Sequence, residues 1–120
     1  MKECILCGSK EELTQHHIIH QEDNKNLRKC KYNKVWMCKK DHRYVHSKKG
    51  RKLNEELELL FQNSLEILFI KKEFTIEEVK DTLEITQRAT ERLLEPFKSK
   101  KGYYSREDII KACMGLKIKE

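Results

Sequence analysis

Four of the five cysteines and all five histidines of this 120-residue chain fall within residues 4–46. Nitrogen and sulfur donors at that density constrain folding more than any apolar pattern here, because a short segment that gathers them around ions is cross-linked by them. Cys4-x2-Cys7 followed by Gly8 has the form of a metal knuckle. Two thiolates sit on one tight turn, and glycine takes the backbone conformation that the turn requires. A structural zinc would draw its third ligand from Cys38. The fourth is Asp41 or Cys30, since an aspartate stands where a second Cys-x2-Cys would end. Cys4 and Cys7 also fit a redox pair, which belongs in a βαβ context absent here, or two small core residues. An odd number of cysteines, three of them at metal-like spacing, argues against a disulfide framework. Cys113 reads as a small core residue.

The run Leu13-Thr14-Gln15-His16-His17-Ile18-Ile19 is compatible with a strand, and Val35-Trp36-Met37 with its partner. Neighbours on a strand point to opposite faces, so His16 and His17 serve different purposes. One imidazole can fix a cation while the other accepts a proton from water. From Lys39 the pattern turns helical and places His42 and His46 at i and i+4 on one face, as second and third cation ligands. A lone histidine is more often an ordinary half-buried side chain; a pair combined with two more at helical spacing and a knuckle is better read as a site.

Charge is divided unevenly. Residues 1–52 hold 14 Lys+Arg against 6 Asp+Glu, a balance of +8, and residues 53–120 hold 12 against 14, a balance of −2, which together give the net +6. Positive charge around candidate metal ligands points to a polyanionic substrate, nucleic acid first. Lys31, Lys34, Lys39, Lys40, Arg43, Lys48 and Lys49 are the candidate phosphate contacts, giving affinity without base specificity. Part of this set is ordinary solvated surface. Trp36 and Tyr44 are suited to stacking on bases but equally to a small core. No stretch approaches the roughly 18 apolar residues of a membrane span. Met1-Lys2-Glu3-Cys4 lacks the apolar core of a secretory signal, so a cytoplasmic protein with reduced thiols and no membrane association is expected.

Residues 22–31 read as a polar loop, and Lys48-Lys49-Gly50-Arg51-Lys52 as a module boundary. Beyond it, Leu53, Leu57, Leu60, Phe61, Leu65 and Leu68 recur at helical spacing, widened by Leu59, Ile67, Phe69 and Ile70. Thr75 with Glu78 forms a capping box, and Ile76, Val79, Leu83, Thr90, Leu93 and Phe97 supply the buried face of the helix it starts. Ser105 with Asp108, a weaker substitute for Glu or Gln, repeats the start signal before a last helix; the sequence has no internal repeats or low-complexity tracts. The expected fold class is α+β and mostly helical: a small zinc-stabilised module over 1–50, then about three helices over 51–120 for packing, homodimerisation or docking of a protein partner.

The first two-fifths of the chain resemble the HNH endonuclease family, with its ββα-metal fold. The motif reads Cys4-x2-Cys7, His16-His17-Ile18-Ile19, then Asn33-x4-Cys38-x2-Asp41-His42-x3-His46. The resemblance implies that His16, His42 and His46 hold a catalytic divalent cation (Mg2+, Mn2+, Ni2+ or Zn2+) and that His17 is the general base. It also implies that Asn33 hydrogen-bonds across the hairpin loop to hold His17, and that a structural Zn2+ sits on Cys4, Cys7, Cys38 and Asp41. Two positions depart from the pattern: Asp41 replaces a cysteine, and His20 stands where proline often occurs. The activity implied is metal-dependent hydrolysis or nicking of DNA, RNA being the less expected substrate, with 5′ phosphate and 3′ hydroxyl ends. Small nucleases of this type often belong to phages or mobile elements. The alternative is a catalytically weak, zinc-stabilised module that binds nucleic acid or a protein partner.

Overall fold

A computed structural model describes residues 2–19 and 25–115. His20 and the start of the polar 22–31 segment lie outside the described residues. The chain is α+β, with five α-helices and two small antiparallel sheets among the described residues.

The first sheet pairs β1 (Leu13–His17) with β2 (Lys34–Cys38), and Leu13 faces Cys38 while His17 faces Lys34. β2 runs straight into α1 (Lys39–His46), so the hairpin and helix form one ββα unit. The N-terminal knuckle is laid against this hairpin by the Ile5 amide, which donates to the Trp36 carbonyl at 2.9 Å. Inside the knuckle the Gly8 amide donates to the Cys4 carbonyl at 2.9 Å, with Gly8 at φ +75°, a conformation that a side chain would strain. A 3-10 turn, Lys48–Gly50, joins α1 to α2 (Arg51–Leu68). A Cβ on Gly50 would collide with the Tyr44 carbonyl oxygen, so glycine lets the chain fold back on α1 at this boundary.

α2 buries Leu57, Phe61 and Leu65, one residue per turn on a single face. Each such side chain stabilises by about 1.5–3 kcal/mol. The second sheet, β3 (Glu73–Thr75) with β4 (Tyr103–Ser105), was not anticipated, since three-residue strands carry little pattern. Each strand enters a helix through a hydroxyl cap. Thr75 and Glu78 make the expected capping box at the start of α3 (Ile76–Leu83), and Ser105 caps α5 (Arg106–Cys113). A strand–cap–helix unit is therefore used twice, although the sequence shows little sign of repetition.

The single helix expected from Ile76 to Phe97 is two: α3 ends at Glu84, which takes the left-handed conformation (φ 55°), and α4 (Gln87–Leu94) restarts on a Thr86 cap. Arg106 closes this half. Its Nε donates to the Phe69 carbonyl (2.6 Å) and its Nη2 to the Glu66 carbonyl (3.0 Å), satisfying the open carbonyls at the end of α2.

Residues 2–50 and 51–115 contribute to one buried apolar cluster. α4 packs on a 3-10 turn, Lys25–Leu27, and α2 on another, Lys31–Asn33. Lys31, a candidate phosphate contact, is ion-paired with Glu84 across this seam. Among the described residues no helix is long and apolar enough to cross a membrane.

Candidate metal centres

Two donor clusters form on the hairpin–helix unit. In the first, the ligand atoms of Cys4, Cys7, Cys38 and Asp41 all lie within 4.8 Å of one another. The knuckle supplies two sulfurs, the end of β2 the third, and the first turn of α1 the carboxylate. Cys4 and Cys38 Sγ donate to Asp41 Oδ2 at 3.2 and 3.3 Å, and the Cys7 and Cys38 sulfurs are 3.8 Å apart. Cys30 is buried in the apolar core, where burial pushes its thiol up, so Asp41 and not Cys30 completes this group. All five cysteines are free thiols.

The electrostatics of the cluster favour a cation. Burial pushes the Cys4 thiol up, but backbone amides of Cys38, Cys7 and Leu6 aimed at its sulfur outweigh that and leave it below the usual range. The thiols of Cys7, Cys4 and Cys38 hold the Asp41 carboxyl below its usual range. Cys7 shows the opposite effect. The Ser9 amide lowers its thiol, yet the Asp41 carboxylate and the Cys4 and Cys38 sulfurs raise it further, to about 12. Three sulfurs and a carboxylate this close cannot all be anionic without a positive partner. A divalent ion would remove that conflict and release protons on binding.

The second cluster joins His16 of β1 to His42 and His46 of α1, again with donors within 4.8 Å. The three ring centroids form a near-equilateral triangle of 5.1, 5.2 and 5.0 Å. His16 is 1% exposed. Thr14 was missed by sequence reasoning, yet the strand period of two puts it on the face of His16. Its Oγ1 lies 3.0 Å from the Met37 carbonyl, to which it donates, and 2.7 Å from His42 Nδ1. A hydroxyl has one proton, so His42 Nδ1–H must donate to it, which assigns the lone pair of His42 to Nε2, the arrangement of a metal-ligating imidazole held by an outer hydrogen bond.

His17 faces away from this triangle and is partly exposed. Its Nε2 lies 3.0 Å from the Arg28 carbonyl. A carbonyl only accepts, so Nε2 carries the proton and Nδ1 the lone pair. The turn that presents Arg28 is held by Asn33, which is 1% exposed. Its Nδ2 donates to the carbonyls of Ile19 (3.0 Å) and Leu27 (3.3 Å), and its Oδ1 accepts from the Ile19 amide (2.7 Å). Asn33 thus ties the end of β1 to the residue before Arg28. No sequence signal marks the Arg28 carbonyl, because any residue offers one.

No protein-family model, curated protein or solved structure matches this chain.

What the site can do follows from its own donors and surroundings. A groove beside the histidine triangle is lined, among the described residues, by Thr14, Lys39, His42, Arg43, His46 and Ser47, two cations and no carboxylate. Lys40 and Arg43 line a neighbouring cleft with Asp41 and Tyr44. The remaining candidates, Lys34, Lys48 and Lys49, belong to the same basic segment, at the start of β2 and in the turn after α1.

Proposed function

We propose that this chain is a metal-dependent DNA endonuclease or nickase of the HNH type, its ββα unit being a ββα-metal module. The observation that carries the reading is the division of labour between adjacent histidines. His16 joins His42 and His46 in a donor triangle, while His17 is anchored through Nε2 and keeps a lone pair on Nδ1.

Each residue then has a part. Lys39 and Arg43 seat a phosphate in the groove beside the triangle. His16, His42 and His46 would hold a divalent cation, which would supply neutralisation of the charge that develops on the phosphate and the leaving 3′ oxygen. His17 Nδ1 takes the proton of the attacking water, and the Arg28 carbonyl accepting from Nε2–H favours the imidazolium that results. Asn33 keeps that carbonyl in place. Nitrogen donors suit Mn2+, Ni2+ and Zn2+ by affinity, and Mg2+ by abundance in cells.

The sulfur cluster is read as a structural zinc site. Donors about 2.3 Å (sulfur) and 2.0–2.2 Å (oxygen) from one tetrahedral ion lie about 3.8 Å apart sulfur to sulfur and about 3.5 Å sulfur to oxygen. The distances of 3.8, 3.2 and 3.3 Å found here match that within a few tenths of an ångström.

The test pairs metal analysis with plasmid nicking. One zinc per chain should co-purify and be lost in Cys7→Ser, while His42→Ala should retain it and lose nicking under added Mg2+, Mn2+ or Ni2+. DNA that is bound but never nicked under any of these metals would favour a binding module instead.

A further inference from the structure

A second cationic cleft lies between a turn of the segment that resembles the nuclease family and the helical half. It has a volume of about 560 Å³ and opens between the 25–29 turn and the start of α4. Lys25, Asn26, Arg28 and Lys29 line one wall, and Ile85, Thr86 and Ala89 the other. Three cations crowd one short turn, and among the described residues the lining includes no carboxylate. Ion pairs among the described residues lie elsewhere: Lys31–Glu84, Arg51–Glu55, Lys71–Glu78 and Lys80–Asp81. None of Lys25, Arg28 and Lys29 enters an ion pair among the described residues. The turn is also rigidly seated: Leu27 and Cys30 are fully buried, and Asn33 holds the Leu27 carbonyl. An anion entering the cleft therefore meets charges that are already gathered, with little ordering cost to the backbone.

We infer that this cleft is a second phosphate subsite, which takes a backbone phosphate of duplex DNA away from the scissile one and extends the DNA track from the hairpin onto the helical half. The inference rests on the nuclease reading for the identity of the polyanion. Its place beside the reaction site comes from Arg28, which lines the cleft and whose carbonyl holds His17. α4 is then more than a packing element. It supplies the far wall of a groove that the hairpin alone would leave open.

The experiment is anisotropy of a labelled duplex with the full-length, metal-loaded chain over a range of salt, in a His17→Ala background so that the DNA stays whole. The triple variant Lys25→Gln, Arg28→Gln, Lys29→Gln should raise Kd at least tenfold and flatten the salt dependence by about 1–3 units of slope, at about 0.9 for each phosphate that is no longer neutralised. A control with equal charge loss, Lys98→Gln, Lys100→Gln, Lys111→Gln, should shift Kd less than threefold. A second variant guards against misfolding. Thr86→Asp keeps a good helix cap but puts a carboxylate in the cleft, and should weaken binding comparably with an unchanged melting temperature. Equal losses in the cleft and control triples, no loss in Thr86→Asp, or tighter binding of single-stranded RNA than of the duplex would each overturn the inference. Nicking by the unsubstituted chain, measured separately, judges the nuclease reading by itself.

Discussion

Among the twelve largest fully buried side chains, residues 51–115 contribute eight, all apolar, while residues 2–50 contribute Leu27, Met37, His16 and Asn33. Half of the first segment's largest buried side chains are thus polar, and they serve a donor triangle and a loop clamp rather than a hydrophobic core. The second segment is held as an ordinary small helical unit is, by Phe61, Phe69, Leu57 and Leu65 under capped helices. On the proposed reading, a segment with less apolar volume to bury is held in part by a metal ion on its sulfur donors, and its histidines are left for chemistry. The two segments should accordingly fail for different reasons.

The largest difference is expected on metal removal. Structural zinc contributes on the order of 10 kcal/mol or more in small metal-held modules. Stripping the purified protein with a strong chelator should abolish amide-exchange protection over 2–46 while helices α2, α3 and α5 stay protected. Uniform loss across the chain would erase the distinction between the segments. Next comes Asn33→Ala, which leaves the Ile19 amide and two carbonyls without their partner and should cost about 2–3 kcal/mol in urea unfolding of the metal-loaded protein. Nicking should fall further than stability does, because the Arg28 carbonyl loses its support. In the other half, Arg106→Ala reopens the end of α2 and should cost about 1–3 kcal/mol, with zinc content unchanged.

The smallest effect is a titration. Lys71, and then the Thr75 amide, hold the Glu78 carboxyl below its usual range. A lowered folded value means that its stabilisation is complete above the unfolded glutamate range of about 4.3 and disappears as pH falls through the folded value. Melting temperature followed from pH 6 to pH 2 should therefore decline less steeply in Lys71→Ala than in the parent. A parallel decline in the two proteins would assign the acid sensitivity elsewhere.

Donors at fixed spacing were readable from the sequence. Two cysteines three apart, two histidines four apart on a helix and a histidine pair on a strand are periodicities that survive folding unchanged. The capping box at Thr75 and the apolar face of α2 were readable for the same reason. The break between α3 and α4 was not, because Val79, Leu83, Thr90, Leu93 and Phe97 keep helical phase straight through it, and a left-handed glutamate has no signature. Thr14 and the Arg28 carbonyl were hidden differently. One is a common hydroxyl whose partner lies 28 residues on, and the other belongs to the main chain. Both act on histidines that the sequence did reveal, so what went unread is how the imidazoles are held rather than which ones are present.

The sharpest check on the separate duties of His16 and His17 is a plasmid-nicking time course comparing the parent with His17→Ala at equal zinc content, equal thermal stability and the same added divalent metal. Nicking should fall by about 10²–10⁴-fold with DNA affinity kept within a few-fold, the size expected for loss of a general base. A His17→Ala protein that nicks at the parent's rate would remove His17 from the chemistry, and the proposed mechanism with it.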